Sequence, residues 1–194
     1  MKRPALVVVL VLGALFVLTC GGVAACLGFL THWQEEAVLS DAASIGMASK
    51  EIADLAVPSD LEPVTGMRME IPFTDRPLVY YAMYEGTDPL RYLMLFAIRK
   101  DAISDKSALR DEIERMLRTA TGTTPDLAID REWTDPVDVH GVPVDFRFRH
   151  STNTAHTVEV TDATGMFDGA FGPATVVYVT MGPFDDAGFR AMFK

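Results

Sequence analysis

Residues 142–148 read VPVDFRF, and this stretch sets the fold that we expect for the chain. Apolar and polar side chains alternate along it. A period of two places one set on each face of a strand, so the stretch predicts a half-buried β-strand. Residues 127–133 and 137–139 predict two shorter strands ahead of it, which end in a turn at His140-Gly141. The apolar members of the alternating stretch are Val142, Val144, Phe146 and Phe148.

Three more stretches favour strands because they are rich in aromatic and β-branched residues. They are residues 78–84 (LVYYAMY), 90–98 (LRYLMLFAI) and 174–181 (ATVVYVTM). The turn sequence EGTDP joins the first two, so we expect a hairpin, and the second is apolar enough to lie at the centre of a sheet. Residues 162–173 contain several glycines and predict a loop.

Helices are predicted beside these strands. Apolar side chains recur at helical spacing in residues 107–120, which favours an amphipathic helix that covers one face of a sheet. Asp185 is a candidate N-cap for a short C-terminal helix. This element order, with hairpin-length connections, predicts an α+β domain: a largely antiparallel sheet with helices packed on one side.

Residues 5–30 form an uncharged apolar run. At 1.5 Å per residue, a helix of this length measures roughly 39 Å, which exceeds the roughly 30 Å hydrocarbon core of a bilayer. The run therefore predicts a single transmembrane helix in the cell membrane. Lys2 and Arg3 precede it and the next basic residue is Lys50, so we expect a cytoplasmic N-terminus and an extracytoplasmic remainder.

Three fates compete for this apolar run. A cleaved signal peptide usually has a shorter apolar core, although Val23-Ala24-Ala25 resembles a small-residue cleavage site. The same residues with Cys26 resemble a bacterial lipobox, in which Cys26 would be lipidated. A retained signal-anchor is favoured because the run continues past Cys26 to Leu30. Each fate places the following residues in the periplasm or outside the cell.

Residues 31–57 predict a stalk helix that ends before Pro58. Val38, Ile45 and Ile52 recur every seven residues with small residues between them, and the small positions continue backwards into the apolar run. One continuous seam would favour a parallel homodimer. The competing interpretation is that the helix packs this stripe on its own domain. The candidate dimer-interface residues are Gly21, Gly28, Ala42, Ile45 and Ile52.

The predicted organisation is a cytoplasmic tip and anchor over residues 1–30, the stalk over 31–57 and one extracytoplasmic α+β domain over 58–194. Both cysteines, Cys20 and Cys26, lie in the apolar run, so no disulfide is expected in that domain. Its stability must therefore come from packing, which is feasible at this size.

The exported part of the chain is strongly acidic. The whole chain has a formal net charge of −10. The part after residue 30 carries −12, because Lys2 and Arg3 are the only charges before it. This balance argues against nucleic acid as a partner, since nucleic-acid binding requires clustered basic residues. A cationic partner and mere solubility both remain open.

Two histidines form the only cluster of plausible metal ligands. His150 and His156, with Glu159 and Asp162 nearby, could hold zinc with an open position, as in a hydrolase. They flank a turn and lack the compact spacing that fixes two ligands on one face, so surface histidines are the favoured interpretation. Because the sequence also lacks an exported cysteine and a nucleophile-elbow serine, we expect no catalysis and no cofactor.

Tyr80 and Tyr81 are candidate interface residues. As successive residues of a predicted strand, they face opposite ways. One of the two rings could therefore lie in an interface or a groove. The competing interpretation is a buried ring with a solvated hydroxyl.

The element order over residues 67–193 is similar to that of PsbP-like α/β sandwiches and of many small bacterial membrane-anchored proteins of unknown function. No diagnostic motif accompanies this resemblance, which implies a non-catalytic accessory or binding domain. We therefore expect an integral membrane protein whose outer domain binds or scaffolds a protein of the cell envelope. One alternative is a small-ligand module between the sheet and its helices. A metal-dependent hydrolase at His150 and His156 is the less favoured alternative.

Overall fold

A long antiparallel sheet dominates the computed structural model of the chain, which describes residues 37–70, 76–102, 127–153 and 158–194. Residues 39–194 form one compact unit. The strands are β1 (Val38–Leu39), β2 (Glu62–Glu70), β3 (Pro77–Thr87), β4 (Leu90–Ile98), β5 (Leu127–Val139), β6 (Val142–Asn153), β7 (Val158–Asp168) and β8 (Pro173–Met181). The helices are α1 (Ala42–Ile52) and α2 (Asp186–Ala191), with a 3₁₀ turn at Lys100–Ala102.

The sheet consists of two consecutive blocks of strands joined by the last strand in the chain. The strand order is β1-β2-β3-β4-β8-β7-β6-β5. Every pairing from β2 round to β5 is antiparallel. Strand β8 lies between β4 and β7, and residues 173–178 and Thr180 are buried. The apolar sequence of β8 fits this central place because both of its faces are covered.

One face of the sheet carries the main hydrophobic core. Residues directly opposite each other on neighbouring strands share a face. The pairings align one row of buried residues across five strands, so this row marks the core face. Its members are Ala82, Leu95, Val176, Gly165 and Phe146.

Gly165 is required in this row because the ring of Phe146 lies against it. A Cβ atom at Gly165 would lie 2.3 Å from Cζ of Phe146, well inside van der Waals contact. Phe146 itself is fully buried. The missing side chain of one strand therefore makes room for the ring of its neighbour.

Both helices pack on this same face. Asp41 caps α1 by accepting a hydrogen bond from the Ser44 amide at 2.8 Å, and Ile45 and Ile52 of α1 are fully buried. Asp185 caps α2 in the same way through Gly188, at 3.0 Å, as the sequence predicted. Beside α2, an edge-to-face aromatic cluster fills the core over the β6 and β8 strands. Its rings are Phe146, Phe148, Tyr178, Phe184, Phe189 and Phe193.

The predicted α+β class is wrong, because the described residues form mostly an eight-stranded antiparallel sheet with only two short helices. The domain is nearly all-β. Two strands expected over residues 127–133 and 137–139 are one, β5, and the loop expected from residue 162 is strand as far as Asp168. Pairing with neighbouring strands overrides the local turn signals there. The helix predicted over residues 107–120 lies outside the described residues.

The prediction of a transmembrane signal-anchor is likewise contradicted in the part of the chain that the structure describes, where no helix is long and apolar enough to cross a membrane. The apolar run that prompted this prediction, residues 5–30, lies outside the described residues. Of the stalk helix predicted over 31–57, residues 37–57 are described. Val38–Leu39 of this range form strand β1, whereas Ala42–Ile52 form α1. Its apolar stripe packs on the sheet, so these side chains stabilise the core of their own domain.

Candidate functional site

Strand β5 forms one of the two edges of the sheet, and most of it is open to solvent. It pairs with β6 along its length, and no other described strand lies on its outer side. Residues 128–132, Thr134, Pro136 and Asp138 are exposed, and Ile129 has 58% of its surface in solvent. An edge of this kind presents backbone N–H and C=O groups that can pair with another strand.

Several features shorten the stretch of β5 that can accept a partner. A register shift separates Ile129 from Arg131, and Pro136 has no N–H to donate. Arg190 of α2 donates from Nη1 to the Pro136 carbonyl at 2.8 Å and also pairs with Asp135. We define the open edge as residues 129–134, which end before Asp135 and Pro136 and include the register shift near their start.

A polar patch lies beside the open edge, on the face of the sheet opposite the helices. The register aligns Glu132 with Arg149 and Asp162 in one row across β5, β6 and β7. The next row on the same face consists of Thr134, Arg147 and Thr164. We define the polar patch as these six residues.

A buried ion pair anchors the polar patch. Arg149 donates from Nε to both carboxylate oxygens of Asp162, each at 3.0 Å. The two side chains are only 12% and 11% exposed. Burial raises the pKa of the Asp162 carboxyl, and the Arg149 guanidinium opposes that rise. Since a buried charge without its partner is costly, the pair fixes β6 and β7 to each other.

A cavity of about 420 Å³ opens next to the polar patch. Its size falls within the roughly 300–1,000 Å³ that is common for binding sites. The lining offers a carboxylate, a guanidinium, a hydroxyl and a thioether, so it can hold a polar side chain or a small polar molecule. The lining residues are Thr134, Pro143, Val144, Asp145, Arg147 and Met166.

The structure does not bring the predicted metal ligands together. His150 pairs across the strands with Thr161, and its Nδ1 lies 3.1 Å from Oγ1 of Thr161. Asp162, the next residue of β7, faces the opposite side of the sheet with Arg149. His156 lies outside the described residues. Among the residues that are described, no group of three His, Cys, Asp or Glu side chains could hold a metal ion.

The candidate dimer residues fall into two groups. Gly21 and Gly28 lie outside the described residues, as does the lipidation candidate Cys26. In α1, Ile45 and Ile52 have no exposed surface, whereas Ala42 is exposed. Ile45 and Ile52 are therefore not available to a second chain in this fold.

Tyr80 and Tyr81 face opposite sides of β3, as the sequence predicted. Tyr80 is 8% exposed and packs edge-to-face on Phe171, with ring centroids 4.8 Å apart. Tyr81 is half-buried on the other face. Burial raises the pKa of both phenols. Neither residue belongs to β5 or to the cavity lining, so a role for either in an interface stays a prediction.

The sequence contained part of the signal for the polar patch. The alternation in residues 145–149 already places Asp145, Arg147 and Arg149 on one face of β6. Asp162 was assigned to a loop, however, so its pairing with Arg149 could not be foreseen. The open edge of β5 was also hidden, because strand order cannot be derived from the strand pattern alone.

No protein-family model matches this sequence, and no curated protein matches it either. The similarity to PsbP-like sandwiches stays a prediction.

Proposed function

We propose that the chain is a non-catalytic binding or scaffold domain that acts outside the cytoplasm. Its contact surface is the open edge of β5 together with the polar patch and the cavity. The observation that carries this proposal is the solvent exposure of residues 128–132 and 134 on an outer strand beside a cavity. A partner can gain backbone hydrogen bonds and a side-chain pocket at one place.

The proposed location is supported by the sequence rather than by the fold. The apolar residues 5–30 follow Lys2 and Arg3, and this order of basic and apolar residues is typical of an export signal. Beyond Cys26 the chain contains no cysteine, so exposure to an oxidising compartment would not create unwanted disulfides. The proposed partner is a protein of the cell envelope.

The chemistry of the polar patch supports binding rather than catalysis. A general acid or base must reach the substrate, and its pKa must be suited to proton transfer at the working pH. Asp162 has its pKa raised by burial, but both of its oxygens accept hydrogen bonds from Arg149. This arrangement stabilises the sheet and leaves recognition to the exposed groups around the cavity.

Photocrosslinking in the cell that produces the protein tests this proposal. A benzophenone amino acid replaces Ile129 on β5 in the full-length chain, and the matched control carries it at Met47 on α1. Met47 is 63% exposed, and α1 packs on β2, β3 and β4 at the other end of the sheet. We expect a discrete crosslinked protein from position 129 alone. Equal products from both positions, or none from position 129, would contradict the proposed contact surface.

A small-ligand module is the second candidate, and the volume of the cavity favours it. Its proposed location differs from the sequence expectation, because the cavity lies on the face away from the helices. A thermal-shift screen of polar metabolites against the full-length chain tests it. We expect a genuine ligand to lose its effect in Thr134→Trp, which fills the cavity, and to keep it in Met47→Trp. Hits that survive Thr134→Trp would count against this candidate.

A further inference from the structure

We propose that the open edge of β5 takes up a basic, extended segment of the partner protein as an additional strand, and that one basic side chain of this segment enters the cavity. The inference rests on the proposed function, because it names the partner chemistry for the same surface. Two observations carry it independently: an exposed outer strand, and a polar cavity on one face directly beside that strand.

The geometry of a sheet determines where the side chains of an added strand would lie. A new strand would lie about 4.8 Å from β5, and its alternate side chains would point to the face of the polar patch. Those opposite Glu132 and Thr134 would be two residues apart. Thr134 lines the cavity. A long side chain of the added strand that lies opposite Thr134 can therefore reach over β5 toward Asp145. Backbone bonds would supply affinity, and the cavity would select the side chain.

Charge selects a basic segment. Glu132 and Asp145 are exposed carboxylates at the outer margin of this face. Of the two arginines on it, Arg149 is already bound to Asp162, and Arg147, which lines the cavity with Asp145, also interacts within the fold. The chain as a whole carries −10, so its field also favours a cationic partner and repels an acidic one. Lys or Arg at alternate positions would place every positive charge on the carboxylate side.

The same features disfavour pairing with a second copy of this chain. Two β5 edges would bring Asp130 and Glu132 of one copy close to the same acidic residues of the other. The register shift beside Ile129 and the proline at 136 further limit how much of two such edges can pair. The edge is therefore protected against self-association and still accessible to a strand of opposite charge.

Peptide binding to the full-length chain, kept soluble in a mild non-ionic detergent, tests the inference. The probe is a fluorescent eight-residue peptide that alternates lysine and threonine, which places all lysines on one face when extended. The matched peptides alternate glutamate and threonine, or carry alternate N-methyl groups that block strand pairing but keep the charge. We expect the lysine peptide to bind at least about tenfold more tightly than either control, as measured by fluorescence anisotropy.

Hydrogen exchange separates strand addition from simple charge attraction. On binding of the lysine peptide, amides within β5 should exchange more slowly, whereas those of β3 should not change. Slower exchange confined to β5 supports the inference. Binding without this protection, or equal binding of the N-methylated peptide, would overturn it.

Charge-reversal variants locate the binding. Glu132→Lys with Asp145→Lys should weaken binding of the lysine peptide about tenfold. The matched variant reverses Glu51 and Asp54, which are also exposed but belong to α1 and the residues after it; it should bind as the wild type does. Thermal unfolding confirms that both variants are folded. Equal losses in both variants would overturn the inference.

The crosslinking result distinguishes failure of the inference from failure of the proposed function. If the lysine peptide does not bind but the crosslink at position 129 persists, strand addition by a basic segment is wrong and the contact surface stands. If both fail, the proposed function is wrong as well.

Discussion

Two hairpins of similar length, β3–β4 and β5–β6, differ sharply in their exposure. Every residue over 77–86 and 90–98 is buried or half-buried. In β5, by contrast, residues 128–132 are exposed, and only its later residues contribute to the core. The difference follows from position: β3–β4 lies inside the sheet between β2 and β8, and β5 is the last strand. A strand pair inside the sheet is thus covered on both sides, whereas the outer strand of a pair at the edge stays open to solvent.

The two hairpins also differ in what holds them to their neighbours. Apolar packing dominates at β3 and β4, where Ala82, Leu93 and Leu95 have no exposed surface. On the face of the polar patch, the buried contact between β6 and β7 is the ion pair of Arg149 and Asp162. Truncation of a buried apolar side chain should therefore destabilise the β3–β4 end of the sheet. At the β6–β7 end, removal of one charge of the ion pair should destabilise the protein.

The largest expected effect is at the ion pair. Arg149→Met should lower the free energy of unfolding by about 3–5 kcal/mol, because Asp162 would remain buried without its partner. The double variant Arg149→Met, Asp162→Leu should lose less of the free energy of unfolding, since it leaves no buried charge without a partner. Urea denaturation measures both. Arg131→Met, which removes an exposed arginine from β5, is the matched control and should cost less than about 1 kcal/mol. A double variant less stable than Arg149→Met would contradict the argument.

Truncation of an apolar side chain should lower stability much more in the β3–β4 hairpin than in β5. Leu95→Ala in β4 should cost about 2–5 kcal/mol, because Leu95 is fully buried. Ile129→Ala in β5 should change stability by no more than about 0.5 kcal/mol, because Ile129 is mostly in solvent. Chemical denaturation of the two variants side by side gives the comparison. Similar losses would mean that β5 is covered in solution.

The pH dependence of stability sharpens the same contrast. The ordinary pKa of an aspartate is 3.8, and burial raises that of Asp162 in the folded protein. At a pH between the ordinary pKa and the raised pKa of Asp162, the folded protein binds more protons than the unfolded chain does. The contribution of Asp162 to stability is therefore present below the ordinary pKa and is lost as the pH rises through the raised one.

The variant Asp162→Asn removes this titration. The free energy of unfolding of the wild type minus that of Asp162→Asn should therefore fall as the pH rises from the ordinary pKa of an aspartate through the raised pKa of Asp162. Denaturation at several pH values measures this difference. A difference that rises over the range would show that Arg149 outweighs burial.

The smallest effect on stability should come from the edge itself. Glu132→Lys reverses the charge of an exposed side chain and should change the free energy of unfolding by less than about 0.5 kcal/mol. A thermal unfolding curve measures this change. A larger loss would mean that Glu132 supports the polar patch in the folded state, rather than facing a partner.

Sequence periodicity predicted the elements whose signal is local. The alternation at 142–148 correctly placed Phe146 and Phe148 in the core, and the apolar run at 90–98 correctly placed β4 inside the sheet. For α1 the pattern left two interpretations open, because a heptad stripe fits a dimer seam and a sheet surface equally well. In the structure Ile45 and Ile52 are buried in the core of their own domain. The sequence pattern missed the pair of Arg149 and Asp162, since their contact depends on strand register, which is set by tertiary packing.

The contact between Gly165 and Phe146 has a consequence for how this sequence can change over evolution. The two positions share one volume across neighbouring strands, so neither is free to drift alone. A side chain added at position 165 is tolerated only when a smaller residue replaces Phe146. A chain that carries the change at 165 alone should therefore be less stable than either the present sequence or the double variant. Any relatives of this chain should therefore show covariation of these two positions, and that signal would identify the β6–β7 register without a structure.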